Sequence, residues 1–163
     1  MNQLEIVQSK IVDLNTLVQI RQSLKSLHKK VVFTNGCFDI LHLGHVQYLA
    51  QARELGDCLI VGLNTDESVS KIKGSDRPVQ KNESRSTILA SLQFVDYVVF
   101  FNEETPLALI QQLIPDVLTK GADYTVNTIV GASIVLEHGG EVKTIELNEG
   151  HSTTKIITNL LHN

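Results

Sequence analysis

A doubly wound parallel α/β sheet is the fold this sequence predicts, and three observations carry that expectation. Five short apolar runs rich in β-branched residues recur along the chain. Segments with helical periodicity lie between them, and the stretches directly after the runs are polar. Strands alternating with helices require βαβ crossovers, which make the sheet parallel and cover both its faces. Ligands of such sheets bind beyond the carboxyl ends of the strands, where the strand order reverses.

Taken in order, Leu14, Leu17, Val18, Leu24 and Leu27 recur at helical spacing and predict an amphipathic helix over about 13–28. Val31-Val32-Phe33-Thr34 reads as a buried strand. A turn-rich stretch, 35–44, follows it. Val46, Leu49, Ala50 and the aliphatic stem of Arg53 then mark one face of a second helix. Residues 58–63 form the next strand, closed by the polar turn Asn64-Thr65-Asp66. Helical periodicity returns over about 83–92, with Asn82 as its expected cap. Residues 97–101 are a strand, and Thr105-Pro106 opens a helix with a cap and a first-turn proline. A strand at 116–119, a helix over about 128–138 and a strand at 141–145 complete the alternation. The last helix runs from near Ser152 to about Leu161.

With 163 residues and no linker-like or repeated segment, the chain reads as a single domain, 1–163, with a helical N-terminal extension, 1–30. At 42% hydrophobic and 20% charged residues, its composition is that of an ordinary globular protein. A net charge of −4 argues against a general nucleic-acid binder, which needs a basic excess to neutralise phosphates. The longest apolar runs are strand-sized, far short of the ~20 residues of a membrane span. The first fifteen residues lack the basic and apolar regions of a secretory signal. Cys37 and Cys58 form no CxxC pair, which fits a reducing compartment. The expectation is a soluble, cytoplasmic protein that binds neither nucleic acid nor membrane.

Chemistry concentrates in four of the loops. In Thr34-Asn35-Gly36-Cys37-Phe38-Asp39-Ile40-Leu41-His42-Leu43-Gly44-His45, a strand ends, Gly36 permits a tight turn, and two histidines three apart precede a helix. Gly44 allows close approach, and the free N–H groups of the helix start favour an anion. The imidazoles suit donation to a phosphate as its charge redistributes during transfer. Two histidines at a helix start also serve as surface or capping residues. His-x-x-His can chelate zinc, although no convincing third and fourth ligands accompany the pair.

Lys71, Lys73, Arg77 and Arg85 place four cations within fifteen residues after the second strand. They read either as a solvated patch or as a polyphosphate site. Arg85 near a helix start opposes the dipole and costs roughly a few tenths of a kcal/mol unless an anion compensates. In Gly150-His151-Ser152-Thr153-Thr154-Lys155, Ser152 is a sound N-cap, yet Lys155 stands where a capping box would carry Glu or Gln. Hydroxyls, N–H groups and a cation there resemble an anion cradle. Lys120-Gly121-Ala122-Asp123-Tyr124 is either a polar turn or a nucleotide-contacting loop.

Together these segments resemble a known family. The His42-to-His45 segment is similar to the HxGH signature of the cytidylyltransferase-like nucleotidyltransferases, and GHSTTKII to their second signature. KIKGSDRPV, the 83–85 helix start, KGADY and GHSTT, in this order, resemble ADP-heptose synthases, across about 31–161. The resemblance implies a Rossmann-like nucleotidyltransferase fold and transfer of AMP from ATP to D-glycero-β-D-manno-heptose 1-phosphate.

It implies catalytic roles for His42, His45, Lys73 and Arg85. Nucleotide contacts are implied for Thr34, Asn35, Gly36, Phe38, Gly44, Lys120, Gly121, Asp123, Tyr124, Ser152, Thr153 and Thr154, besides the two histidines. Acceptor contacts are implied for Asp39, Lys71, Lys73 and Arg77. Mg²⁺ is expected with ATP rather than on protein side chains, and a homodimer and a separate upstream heptose kinase are expected as partners. Ala122 replaces a glycine common in the family loop, and His151 sits where the family varies. A cytidylyltransferase for a phosphorylated alcohol such as glycerol-3-phosphate is the alternative enzyme. A non-catalytic nucleotide sensor of the same fold is the alternative class.

Overall fold

The computed structural model describes residues 1–146 and 152–161. Five parallel strands form one sheet: β1 (Val31–Gly36), β2 (Cys58–Asn64), β3 (Tyr97–Phe101), β4 (Val117–Gly121) and β5 (Glu141–Ile145). The order across it is β3-β2-β1-β4-β5. All five expected strands are present. The expected doubly wound α/β architecture is the one observed.

The two-residue period of a strand divides the core. In β1, Val31 and Phe33 point to one face, where they meet Leu17 of α2 (Leu14–Ser26) and Leu109, Ile110 and Leu113 of α6 (Leu107–Leu113). Ala132 and Val135 of α7 (Ala132–Glu137) join the same cluster. Val32 points the other way, with Leu59, Val61 and Leu63 of β2, against Leu49 and Ala52 of α3 (Leu43–Glu54) and Leu89 and Ala90 of α5 (Asn82–Ser91). Both faces of the sheet are therefore covered, as an all-parallel sheet requires.

Four local expectations are corrected. The polar turn after β2 continues into α4 (Asp66–Lys73), started by Thr65, whose hydroxyl accepts from the Ser68 N–H. Val69 and Ser68 are its buried residues, so it has no apolar stripe to detect. Asn82 is the first residue of α5 rather than its cap, a position held by Lys81. Pro106 itself occupies the N-cap of α6, with no capping side chain. The helix expected over 128–138 is divided into a 3₁₀ turn, Val126–Thr128, and α7. Gly131 separates them at φ 83°, with the Ile110 side chain 2.7 Å from where a Cβ would stand.

The N-terminal extension also holds a helix the periodicity did not reveal. α1 (Gln3–Gln8) carries a capping box between Asn2 and Glu5. Beyond it, Val12 N–H donates to Val98 O (3.0 Å) and Val98 N–H to Lys10 O (2.9 Å), so this segment lies along the β3 edge. A final helix, α8 (Thr153–Leu161), follows the 147–151 stretch, which includes Gly150 and His151 and lies outside the described residues.

Candidate active site

β1 lies between β2 and β4, and the chain leaves it toward one side first and reaches the other later. The order therefore reverses between β1 and β4. A cavity of about 330 Å³ opens there, beyond the carboxyl ends of these two strands. It is the place where a doubly wound sheet binds its ligand.

The structure gathers sixteen of the expected site residues around this cavity. Asn35, Gly36, Phe38 and Asp39 come from the loop after β1, and His42, Gly44 and His45 from the start of α3. Lys73 ends α4 and Arg77 follows it. Lys120, Gly121, Asp123 and Tyr124 come from the end of β4 and its loop, and Ser152, Thr153 and Thr154 from the start of α8.

His42 occupies the N-cap position of α3 in extended conformation, and His45 falls in the first turn. Their rings stack with centroids 3.8 Å apart and planes at 21°. The Phe38 ring braces His45 from a second side, 5.2 Å away and tilted by 58°. Burial, then the neighbouring His42 and Lys73, lowers the His45 pKa to about 4, against a smaller upward pull from a hydrogen bond with the Ile40 backbone. At neutral pH this imidazole is an uncharged hydrogen-bonding group beside a helix start, not a fixed cation.

Lys120 is half-buried, and its Nζ donates to the Asn35 carbonyl at 2.9 Å and lies 5.4 Å from the Tyr124 ring centroid. Burial brings its pKa down to about 8, although Cys37 and Asp123 pull the other way. Asn35 Oδ1 is buried with no hydrogen-bond partner among the described residues. At the α8 start, the Thr153 hydroxyl donates to Ile40 O and the Lys155 N–H to Ser152 Oγ, both at 3.4 Å. The capping reading of Ser152 thus holds alongside its place at the cavity wall.

Three expected residues do not reach the cavity. Thr34 is fully buried beneath it, its hydroxyl 2.8 Å from Tyr48 Oη. Lys71 stands on the exposed side of α4 and pairs with Glu67 at 2.6 Å. Arg85, expected as a catalytic group, is 1% exposed and spends its guanidinium on protein partners. The anion that offsets its place near a helix start is the protein's own Asp66, 2.7 Å away. Asp39 lines the cavity, yet its carboxylate is occupied by Arg77 Nε at 2.6 Å and by the N–H groups of Val79 and Gln80. Burial works to raise its pKa, but these donors outweigh it and hold the carboxyl below the usual range.

Two lining residues escaped the sequence reading. Tyr48 lies one helical turn after His45 on the same face, and that spacing was the available signal. Burial pushes its phenol up to about 12, so it stays protonated. Cys37 stands inside the recognised loop, and its thiol is 3.8 Å from Asn64 Oδ1. Burial raises its pKa against the pull of Lys73, Arg85, Lys120 and Arg77.

A larger cavity of about 620 Å³ lies at the opposite pole, with Arg21, Lys25, Lys29 and Lys30 among its lining residues. There the carbonyl ends of α2, α6 and α7 converge, and Arg21 donates to Leu113 O and Ile114 O. Those carbonyls account for Arg21, while Lys29 pairs with Asp57 and Lys30 with Glu141.

Comparison with known proteins adds the lineage. The family model described as cytidylyltransferase-like matches residues 33–159. Among curated proteins, the bifunctional protein HldE of Caulobacter vibrioides is 56% identical over 151 residues, which are 93% of this chain and 31% of that protein. HldE of Campylobacter concisus is 60% identical over 129 residues, 79% of this chain and 26% of that protein. The chain thus spans under a third of the length of these relatives. Among solved structures, a lipopolysaccharide core biosynthesis protein from Thermoplasma volcanium matches with TM-score 0.59 and 29% identity, over 76% of this chain and 99% of that one. A pantoate-beta-alanine ligase from Francisella tularensis, solved in complex with beta-gamma ATP and β-alanine, shares the fold at TM-score 0.60 and 18% identity, over 93% of this chain and 77% of that one.

Proposed function

The chain belongs to the cytidylyltransferase-like family, and from that premise we propose that it transfers AMP from ATP to D-glycero-β-D-manno-heptose 1-phosphate. The products are ADP-heptose and pyrophosphate. The observation that carries the chemistry is the stacked His42–His45 pair at the switch point, facing one cavity with Lys73, Lys120 and the α8 start. The acceptor is supported by the KIKGSDRPV, KGADY and GHSTT segments that resemble ADP-heptose synthases, and by more than 50% identity to HldE proteins.

A phosphate oxygen of the acceptor attacks the α-phosphorus in line. The bond from that phosphorus to the β-phosphate bridging oxygen breaks, and pyrophosphate leaves with the electron pair. The acceptor phosphate is already ionised near neutral pH, so no strong general base is needed. Catalysis rests on positioning and on charge stabilisation. His42 and His45 donate hydrogen bonds to α-phosphate oxygens, a role that suits an uncharged His45. Lys73 and Arg77 hold acceptor oxygens. Asn35, Lys120, Asp123 and Tyr124 contact the nucleoside, and Ser152, Thr153 and Thr154 with the α8 start receive the β and γ phosphates.

Magnesium would be bound mainly through the triphosphate and would supply neutralisation of charge on the leaving pyrophosphate. Among the described residues no cluster of His, Cys, Asp and Glu would hold it alone. No helix among them is long and apolar enough to cross a membrane. Separately, we propose that the enzyme is cytoplasmic. It works as a homodimer downstream of a heptose kinase.

The test is pyrophosphate release with ATP, CTP, GTP and UTP, each against heptose 1-phosphate and glycerol-3-phosphate. Turnover is expected with ATP and the β-heptose phosphate. Turnover only with CTP and glycerol-3-phosphate would replace the substrates and keep the chemistry. Silence across the panel in folded, magnesium-supplied protein would sink the assignment.

A further inference from the structure

Arg85 and Asp39 both lie hidden at the ligand end of the sheet, and their hydrogen bonds close a circuit. The five N–H groups of Arg85 are all engaged. Nε donates to Gln80 O (3.0 Å), and Nη1 to Cys37 O (2.7 Å) and Asn64 O (2.9 Å). Nη2 donates to Asp66 Oδ1 (2.7 Å) and Asn82 Oδ1 (2.8 Å). Asp39 in turn accepts from the Gln80 N–H at 2.9 Å. The Gln80 backbone is thus gripped at both ends, and Arg85 returns to Cys37, two residues before Asp39.

We propose that Arg85 and Asp39 form a positioning clasp that locks the 77–80 segment onto the 37–39 segment. The clasp fixes the distance between the imidazole pair and the Lys73–Arg77 cations across the cavity. This inference rests on the transferase reading, in which those two groups hold opposite sides of the reacting assembly, and adds residues that set geometry without touching substrate.

Two physical points favour geometry over plain stability. The ion pairs here are Arg85 with Asp66 and Asp39 with Arg77, and a pair so shielded from water is a poor device for stability, because desolvation consumes most of its attraction. The planar fork of arginine, in contrast, can bind several acceptors in fixed directions at once. Its acceptors here all sit on segments at the strand carboxyl ends. Displacement of a reacting group by about 1 Å can cost on the order of 10²-fold in rate.

The experiment compares Arg85→Lys, Asp39→Asn and the double variant in the full chain, each checked for fold by circular dichroism. Lysine keeps the charge but cannot span Gln80, Cys37 and Asp66 together. Each single variant should lose about 10–100-fold in kcat/KM for the acceptor, while the KM for ATP stays within about threefold. The double variant should lose no more than about threefold beyond the weaker single, since a ring opened once has little left to lose. Multiplying losses, or singles at the wild-type rate, would overturn the clasp.

A second reading needs no substrate. The imidazole NMR signals of His42 and His45 in the free protein should move in both single variants, and to the same positions in the double. Unmoved imidazoles with a lowered thermal midpoint would reduce both residues to structural ones and overturn the proposal. If Arg85→Lys does not fold, the isosteric Asp39→Asn carries the test alone. If the wild type turns over no substrate pair, the transferase reading fails, and the imidazole signals still decide the clasp.

Discussion

Replacing His42 or His45 by alanine removes a donor aimed at the region where charge shifts in the transition state. Each change is expected to cost about 10²–10³-fold in turnover with the fold intact. Losses below tenfold for both, measured by pyrophosphate release, would remove them from the chemistry. His45 also carries a pH signature. Its folded pKa, near 4, lies below the unfolded value of 6.5. Between those values the unfolded chain binds a proton that the native state refuses, so stability is full above about pH 6.5 and falls as pH drops toward 4. Denaturant melts of the wild type and His45→Gln across pH 4–7 should diverge in slope, with the variant flatter. The lysines separate in the same way. Lys73 lines the cavity and Lys71 pairs outward with Glu67. Lys73→Ala should raise the acceptor KM at least tenfold, and Lys71→Ala should change it less than about threefold. Sequence spacing could not separate them, because both stand in a helix that the apolar pattern did not reveal.

Elements with a buried stripe or an apolar β-branched run were legible in the sequence, and the ones held by capping and loop contacts were not. β1 and β2 fall where the alternation puts them because their residues are driven into the sheet. α4 was missed because Thr65 and its neighbours start it, and Val69 is its one buried apolar side chain. α7 was expected too long because its apolar pattern runs on through Gly131, where the close approach of Ile110 demands a glycine. The loop after β1 shows the converse, since its residue types announced phosphate chemistry while its internal packing was invisible. Phe38 adopts φ 44° and braces His45, and a Cβ on Gly36 would stand 2.9 Å from the Phe38 ring. Gly36→Ala should therefore push the ring against the imidazole pair. The expected outcome is about a tenfold drop in kcat with small loss of stability, read from steady-state kinetics beside a thermal melt. A kcat equal to wild type would show that the ring yields without moving His45.

Across the whole molecule, the sheet order explains why residues from four distant segments meet, since only the reversal between β1 and β4 leaves a crevice that loops from both sides can line. The sequence announced the alternation and hence the pole, but the buried roles of Arg85 and Asp39 depend on how loops fold back on one another. The same order leaves β3 at an edge, where unpaired backbone groups invite another chain. The N-terminal extension answers this. Lys10 and Val12 exchange backbone hydrogen bonds with Val98, and Lys10 Nζ donates to Val95 O at 2.8 Å. Val7 and Ile11 pack against the cluster on the α3–α5 face. The segment before α2 thus works as an edge cover that is remote from the cavity. Removing residues 1–12 should lower the thermal midpoint by several degrees and raise light scattering on heating, while the KM for ATP stays within about twofold. Unchanged scattering would mean that the β3 edge protects itself, whereas a large change in KM would mean that the extension reaches the active site through the sheet.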